Sequence, residues 1–76
     1  MSVYKIMLRS DEVKEFVSRA SECDFDIDVS YNHLTVDAKS ILGVLALDLR
    51  QILTVSCNGY SRAFDKYLSG KYAAAV

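Results

Sequence analysis

Proline is absent from this 76-residue chain, and glycine, cysteine and histidine are scarce at three, two and one. Without proline there is no stiff polyproline spacer, and no linker or internal repeat divides the chain. The three glycines stand far apart, so there is no Gly-rich loop to cradle a phosphate. Cys23 and Cys57 fall short of the four or more cysteines of a small secreted scaffold. Both fall on positions that can face a core, so they are expected as reduced structural thiols. The lone histidine, His33, falls at a turn, which argues against a Ser-His-Asp set. No segment approaches the roughly 20 apolar residues of a membrane span. The first ten residues carry no long apolar run and no small-residue cleavage site. A cytoplasmic protein without membrane contact is expected. Charge of one sign is lacking too: nine basic residues oppose ten acidic ones, for a net charge of -1. The basic residues are scattered from Lys5 to Lys71 and form no run, so nucleic acid is not an expected partner.

What is present is apolar content, 51% of the chain. That suffices for a core without disulfides and argues against intrinsic disorder. The length allows one domain, taken as residues 1–76. A domain this small buries only about 60% of the surface its unfolded chain exposes.

Val3 to Leu8 reads as a first strand. Ser10 offers a helix N-cap, with Asp11 and Glu12 in the first turn where the helix dipole favours them. Val13, Phe16, Val17 and Ala20 form one apolar stripe at helical spacing. Phe25, Ile27, Val29 and Tyr31 alternate with Asp26, Asp28 and Ser30, the period of a half-buried strand. Leu34 and Val36 resume the alternation after Asn32-His33, which predicts a hairpin with those two residues at its tip. Ser40 opens a second helix as N-cap. Leu53, Val55 and Cys57 alternate with polar neighbours in a fourth strand. Asn58-Gly59 signals a turn. Tyr60, Phe64, Tyr67 and Leu68 then recur at helical spacing toward a core, and Gly70 suits the position after the helix end. Lys71 to Val76 reads as a frayed tail or a last helical turn. The order β-α-β-β-α-β-α predicts an α+β two-layer sandwich with helices on one face of a mostly antiparallel sheet.

The second helix is the most informative stretch. Ile41 to Leu47 carries no polar side chain, whereas a helix on a small core buries a stripe only about 100° wide. Leu42, Leu45, Ala46 and Leu49 make one such face. Ile41, Val44 and Leu47 then point elsewhere, leaving an apolar patch. Such a patch marks a protein partner site, or is covered by a loop, the C-terminal tail or a second copy in a homodimer. Gly43 inside this helix costs about 1 kcal/mol against Ala, which implies a close neighbour.

The run from Val36 to Leu47, with Lys39-Ser40-Ile41-Leu42-Gly43 at its centre, resembles the HPr family of the bacterial sugar phosphotransferase system. The upstream spacing fits without gaps from Phe16-Val17 through Ile27-Asp28-Val29 and Asn32. The resemblance implies an open-faced sandwich of a four-stranded antiparallel sheet with three helices on one face. It also implies a phosphocarrier that accepts a phosphoryl group on a histidine at the start of its first helix, with an arginine two residues later. Helix N-termini favour anions, so the location makes chemical sense. In this sequence Arg9 stands at the histidine position, Asp11 at the arginine and Glu12 at the proline that follows. The loop before the helix is shorter. No imidazole is available there, and Asp11 and Glu12 are expected to repel a dianion.

In many Gram-positive members the serine corresponding to Ser40 is phosphorylated by a dedicated kinase, and one branch keeps this serine while lacking the histidine. Ser40 is therefore a candidate regulatory phosphorylation site as well as a plain helix cap. The expected role is a non-catalytic regulatory module that docks through Arg9, Ser10, Lys39, Ile41, Leu42, Val44 and Leu45. A phosphocarrier with an atypical acceptor is the alternative, as is a homodimeric diverged paralogue. His33 has no arginine neighbour to hold a phosphate. Asp24, Asp26 and Asp28 lack the glycine turn of a calcium loop and read as a solvated strand face, so no cofactor or metal is expected.

Overall fold

The computed structural model describes residues 1–71; the tail reading for residues 72–76 lies outside them. The elements are β1 (Ser2–Ile6), a 3-10 turn (Ser10–Glu12), α1 (Val13–Ser21), β2 (Ile27–Tyr31), β3 (Leu34–Asp37), α2 (Ile41–Leu45), β4 (Leu53–Cys57) and α3 (Arg62–Ser69). The four strands pair antiparallel in the order β1-β4-β2-β3. The last strand in sequence thus occupies the interior of the sheet. It is suited to that place: Leu53, Val55 and Cys57 are buried on one face, and no residue in it lacks a backbone donor. One sheet face, with Tyr4, Ile6, Ile27, Val29, Leu53 and Val55, is buried. Val13, Phe16, Val17 and Ala20 of α1, Val44 of α2, and Phe64 and Leu68 of α3 complete that core. Val3, Lys5, Asp28 and Thr35 on the other face are exposed. The fold is the open-faced α+β sandwich that the order of elements predicts.

Strand β1 ends at Ile6 because the next amide, of Met7, donates to the Lys71 carbonyl at 3.0 Å. The hairpin tip falls at Asn32-His33, where Asn32 adopts a φ of 55° that asparagine tolerates well. The Tyr4 hydroxyl donates to Asp65 at 2.7 Å, tying β1 to α3. Burial, reinforced by that carboxylate, raises the phenol far above its ordinary range. Both thiols are free and buried. Burial, with smaller contributions from nearby groups, pushes the Cys57 thiol up to about 11, so it stays protonated at neutral pH.

The third helix starts later than its reading and ends at Gly70 as expected. Ser61 caps it, accepting from the Phe64 amide at 3.2 Å, and Tyr60 lies before the cap, exposed and outside the core. Gly70 ends the helix in an ordinary right-handed conformation, so positive φ is not its reason. Gly59 also has negative φ, and the Asn58-Gly59 pair forms a bend rather than a hairpin turn. Its small size is what matters: a Cβ there would lie 2.6 Å from Phe25 Cδ2.

Candidate functional site

Two neighbouring elements carry the residues singled out in the sequence: the start of α1, and α2, which packs against α1. The first helical segment opens one residue earlier than Ser10 suggests. Arg9 is its cap, and Ser10 is the first residue of the 3-10 turn. Glu12 closes the turn by accepting from the Arg9 amide at 2.9 Å. Its other carboxylate oxygen accepts from Lys71 Nζ at 2.6 Å. Asp11 is held in a two-pronged pair by the Arg9 guanidinium, at 2.6 and 3.1 Å. Both carboxylates therefore have cationic partners, and the repulsion of a dianion expected from them is offset.

The Lys71 ammonium, then the Arg9 amide, hold the Glu12 carboxyl below its ordinary value. Both side chains of this pair are only about a quarter exposed or less, at 20% and 25%. A carboxyl with a depressed folded-state pKa adds stability above its unfolded pKa, about 4.3. That stability is lost as pH falls through the folded value. Lys71→Ala is expected to destabilise the domain by about 1 kcal/mol at pH 7. The gap between variant and wild type closes as pH falls below about 4.3. Urea unfolding at a series of pH values checks this; a gap that persists at pH 2 would assign the loss to packing instead.

Helix α2 is five residues long. Ser40 caps it as its position in the sequence predicts: its Oγ accepts from the Gly43 amide at 3.1 Å. The helix faces the opposite way from the apolar stripe expected of Leu42, Leu45, Ala46 and Leu49. Val44 is fully buried and Leu47 nearly so, whereas Leu42 is 82% exposed, Leu45 46% and Ile41 42%. Ala46 is exposed and Leu49 half-buried. Val44 therefore belongs to the core and leaves the expected docking set. The cause is the glycine. A Cβ on Gly43 would sit 3.2 Å from Val36 Cβ and 3.3 Å from Ser40 Oγ, so Gly43 is the point where α2 approaches β3. Gly43, Val44 and Leu47 then lie inward. The helix also ends at Leu45, with Ala46 as its cap, so its phase cannot be extended to Leu49.

Lys39 has a partner within the domain. Its ammonium donates to the Cys23 carbonyl at 2.8 Å, anchoring the β3–α2 turn to the end of α1. His33 is exposed at the β2–β3 turn, away from both elements in sequence.

Two residues join the site without a signal in the sequence. Arg50 and Lys71 come from the segments after α2 and after α3. With Arg9, Ser10, Glu12 and Leu49 they line a cavity of about 750 Å³ beside the start of α1. Arg50 pairs with Asp48 at 3.0 and 3.3 Å.

A family model described as the PTS HPr component phosphorylation site matches residues 8–64. The fold is similar to the crystal structure of HPr-C-His from Thermoanaerobacter tengcongensis, with a TM-score of 0.72 and 26% identity over 92% of this chain and 89% of that one. It is also similar to the phosphocarrier protein HPr of Bacillus anthracis, with a TM-score of 0.69 and 21% identity over 95% of this chain and 94% of that one. No curated protein matches at a significant level. The family match runs from the start of the α1 segment, through the capped α2, into α3, and on that extent the chain belongs to the HPr family of the phosphotransferase system.

Proposed function

We propose that this HPr-family domain is a non-catalytic, cytoplasmic regulatory module that docks on a protein partner through α2, forms no phosphohistidine at the start of α1, and is switched by phosphorylation of Ser40. The observation that carries this reading is the placement of the Ser40 hydroxyl at the foot of an exposed apolar face made by Ile41, Leu42 and Leu45. A phosphoryl group on Ser40 would add close to two negative charges at the edge of that face. It would change what the face can dock against without disturbing the core beneath. Arg9 and Ser10 extend the surface toward α1. At that end the residue in cap position is a guanidinium, which cannot act as a nucleophile. The chain's one imidazole, His33, sits at the hairpin tip.

Purified HPr kinase with ATP is expected to add one phosphoryl group to the wild type and none to Ser40→Ala, read by intact mass. Absence of label on the wild type would remove the switch. Ile41→Asp is expected to keep the fold and lose the partner; retained binding would count against the α2 face. The family match itself favours a second reading, a phosphocarrier with an atypical acceptor. Enzyme I with phosphoenolpyruvate would then label both wild type and Ser40→Ala, whereas the first reading expects neither to be labelled.

A further inference from the structure

We propose that Asn58 is a site of spontaneous covalent modification: in the folded domain its side-chain amide is lost through attack by the Gly59 backbone nitrogen, leaving aspartate or isoaspartate just after β4. This goes beyond the docking role and does not rest on Ser40. The chain holds two asparagines, Asn32 and Asn58, and only Asn58 is followed by glycine. Glycine has no side chain to crowd its own amide nitrogen, so that nitrogen is open to close a ring on the residue before it.

The fold leaves the reacting groups free. Asn58 is exposed, in the bend that follows β4. Its backbone amide donates to the Asp26 carbonyl at 2.9 Å, and the Gly59 carbonyl accepts from the Ser2 hydroxyl at 3.4 Å. Neither bond occupies the nucleophile. Among the described residues, the Gly59 amide donates to no acceptor and the Asn58 side chain has no hydrogen-bond partner. An amide outside the hydrogen-bonded ladder gives up its proton more readily than one inside it. Asn32 differs: it holds a φ of 55° at the hairpin tip, and the side chain of His33 crowds the nitrogen that would attack it.

Base removes the Gly59 amide proton, and the nitrogen attacks Cγ of Asn58. A new C–N bond forms, the Cγ–Nδ2 bond breaks, and Nδ2 takes up a proton and leaves as ammonia. Water then opens the resulting succinimide ring. Opening at Cγ gives aspartate. Opening at the backbone carbonyl gives isoaspartate, whose main chain runs through Cβ and Cγ and is one methylene longer. The two products differ in consequence. A Cβ on Gly59 would lie 2.6 Å from Phe25, which packs against the core. A methylene inserted immediately before Gly59 shifts that contact, whereas aspartate only replaces an exposed amide with a carboxylate.

The unmodified full chain, kept folded at mildly alkaline pH and followed by peptide mass spectrometry, tests this. A gain of about one dalton is expected on the peptide carrying Asn58 and not on the one carrying Asn32, at a rate within tenfold of that in guanidinium chloride. Protein isoaspartyl methyltransferase should methylate the aged chain. Asn58→Gln should melt with the wild type and show neither change. A folded-state rate slower than that limit, a gain at Asn32 before Asn58, or methylation of aged Asn58→Gln would each overturn the proposal. The purified isoaspartyl form should melt several degrees below the wild type, and Asn58→Asp within a few degrees of it; an isoaspartyl form as stable as the wild type would overturn the link to Phe25. No kinase or partner is needed to age the chain, so failure here leaves the Ser40 reading untouched.

Discussion

Aspartate in place of Val44 is expected to unfold the protein, whereas aspartate in place of Leu42, two residues away on the same short helix, leaves it folded. Val44 has no exposed surface. A carboxylate there would have neither water nor a cation, and burying such a group costs several kcal/mol. A domain of 76 residues has a total stability of about 4–11 kcal/mol. The loss of Val packing adds to the same side. Leu42 is 82% exposed, and a carboxylate in the first turn of a helix is favoured by the dipole. Thermal unfolding followed by circular dichroism separates the two: Val44→Asp should show no cooperative transition, and Leu42→Asp a melting point within a few degrees of wild type. The reverse outcome would mean that α2 packs with its other face inward.

Gly59→Ala is expected to lower the melting temperature by on the order of 10 °C. The backbone at Gly59 is one that alanine adopts freely, so conformational strain is not the cause. The added methyl would lie 2.6 Å from Phe25 Cδ2, 2.7 Å from Cγ and 3.2 Å from Cβ. Contact with the stem of the ring, and not just its rim, means a rotation of Phe25 cannot clear the space. Phe25 packs against the core, so its displacement disturbs more than the turn. Overpacking of this type costs about 1–3 kcal/mol, and each kcal/mol moves the midpoint by about 4–8 °C in a domain of this size. Phe25→Leu should recover part of the loss in a double-mutant cycle. Additive effects of the two substitutions would show that the clash is not the mechanism.

Much of this architecture is legible in the residues because the physics that sets it is local. The alternation of Leu53, Val55 and Cys57 with polar neighbours marks β4 to its ends. The stripe of Val13, Phe16, Val17 and Ala20 marks the buried face of α1. The phase of α2 is different in kind. A helix apolar on all sides gives periodicity nothing to act on, and its inward side is set by the residue that lacks a side chain. Gly43 carries no hydrophobic weight, yet its contact with Val36 decides which leucines reach solvent. Gly59 illustrates the same point, since a turn signal and a close approach look alike in the sequence. The cavity beside α1 was beyond reach for another reason. Arg9, Arg50 and Lys71 are brought together only by the docking of three separate segments, and no spacing encodes that.

The position of β4 also constrains how the domain can be made. Strands β1 and β2 do not touch each other; each pairs with β4. A nascent chain that has not yet delivered Leu53 to Cys57 has only the β2–β3 hairpin to build on, and an isolated hairpin is marginal in water. Partial folding on the ribosome therefore has no stable stopping point. Residues through Cys57 must emerge before β1 finds its neighbour, so the sheet forms in one late, concerted collapse dominated by contacts distant in sequence.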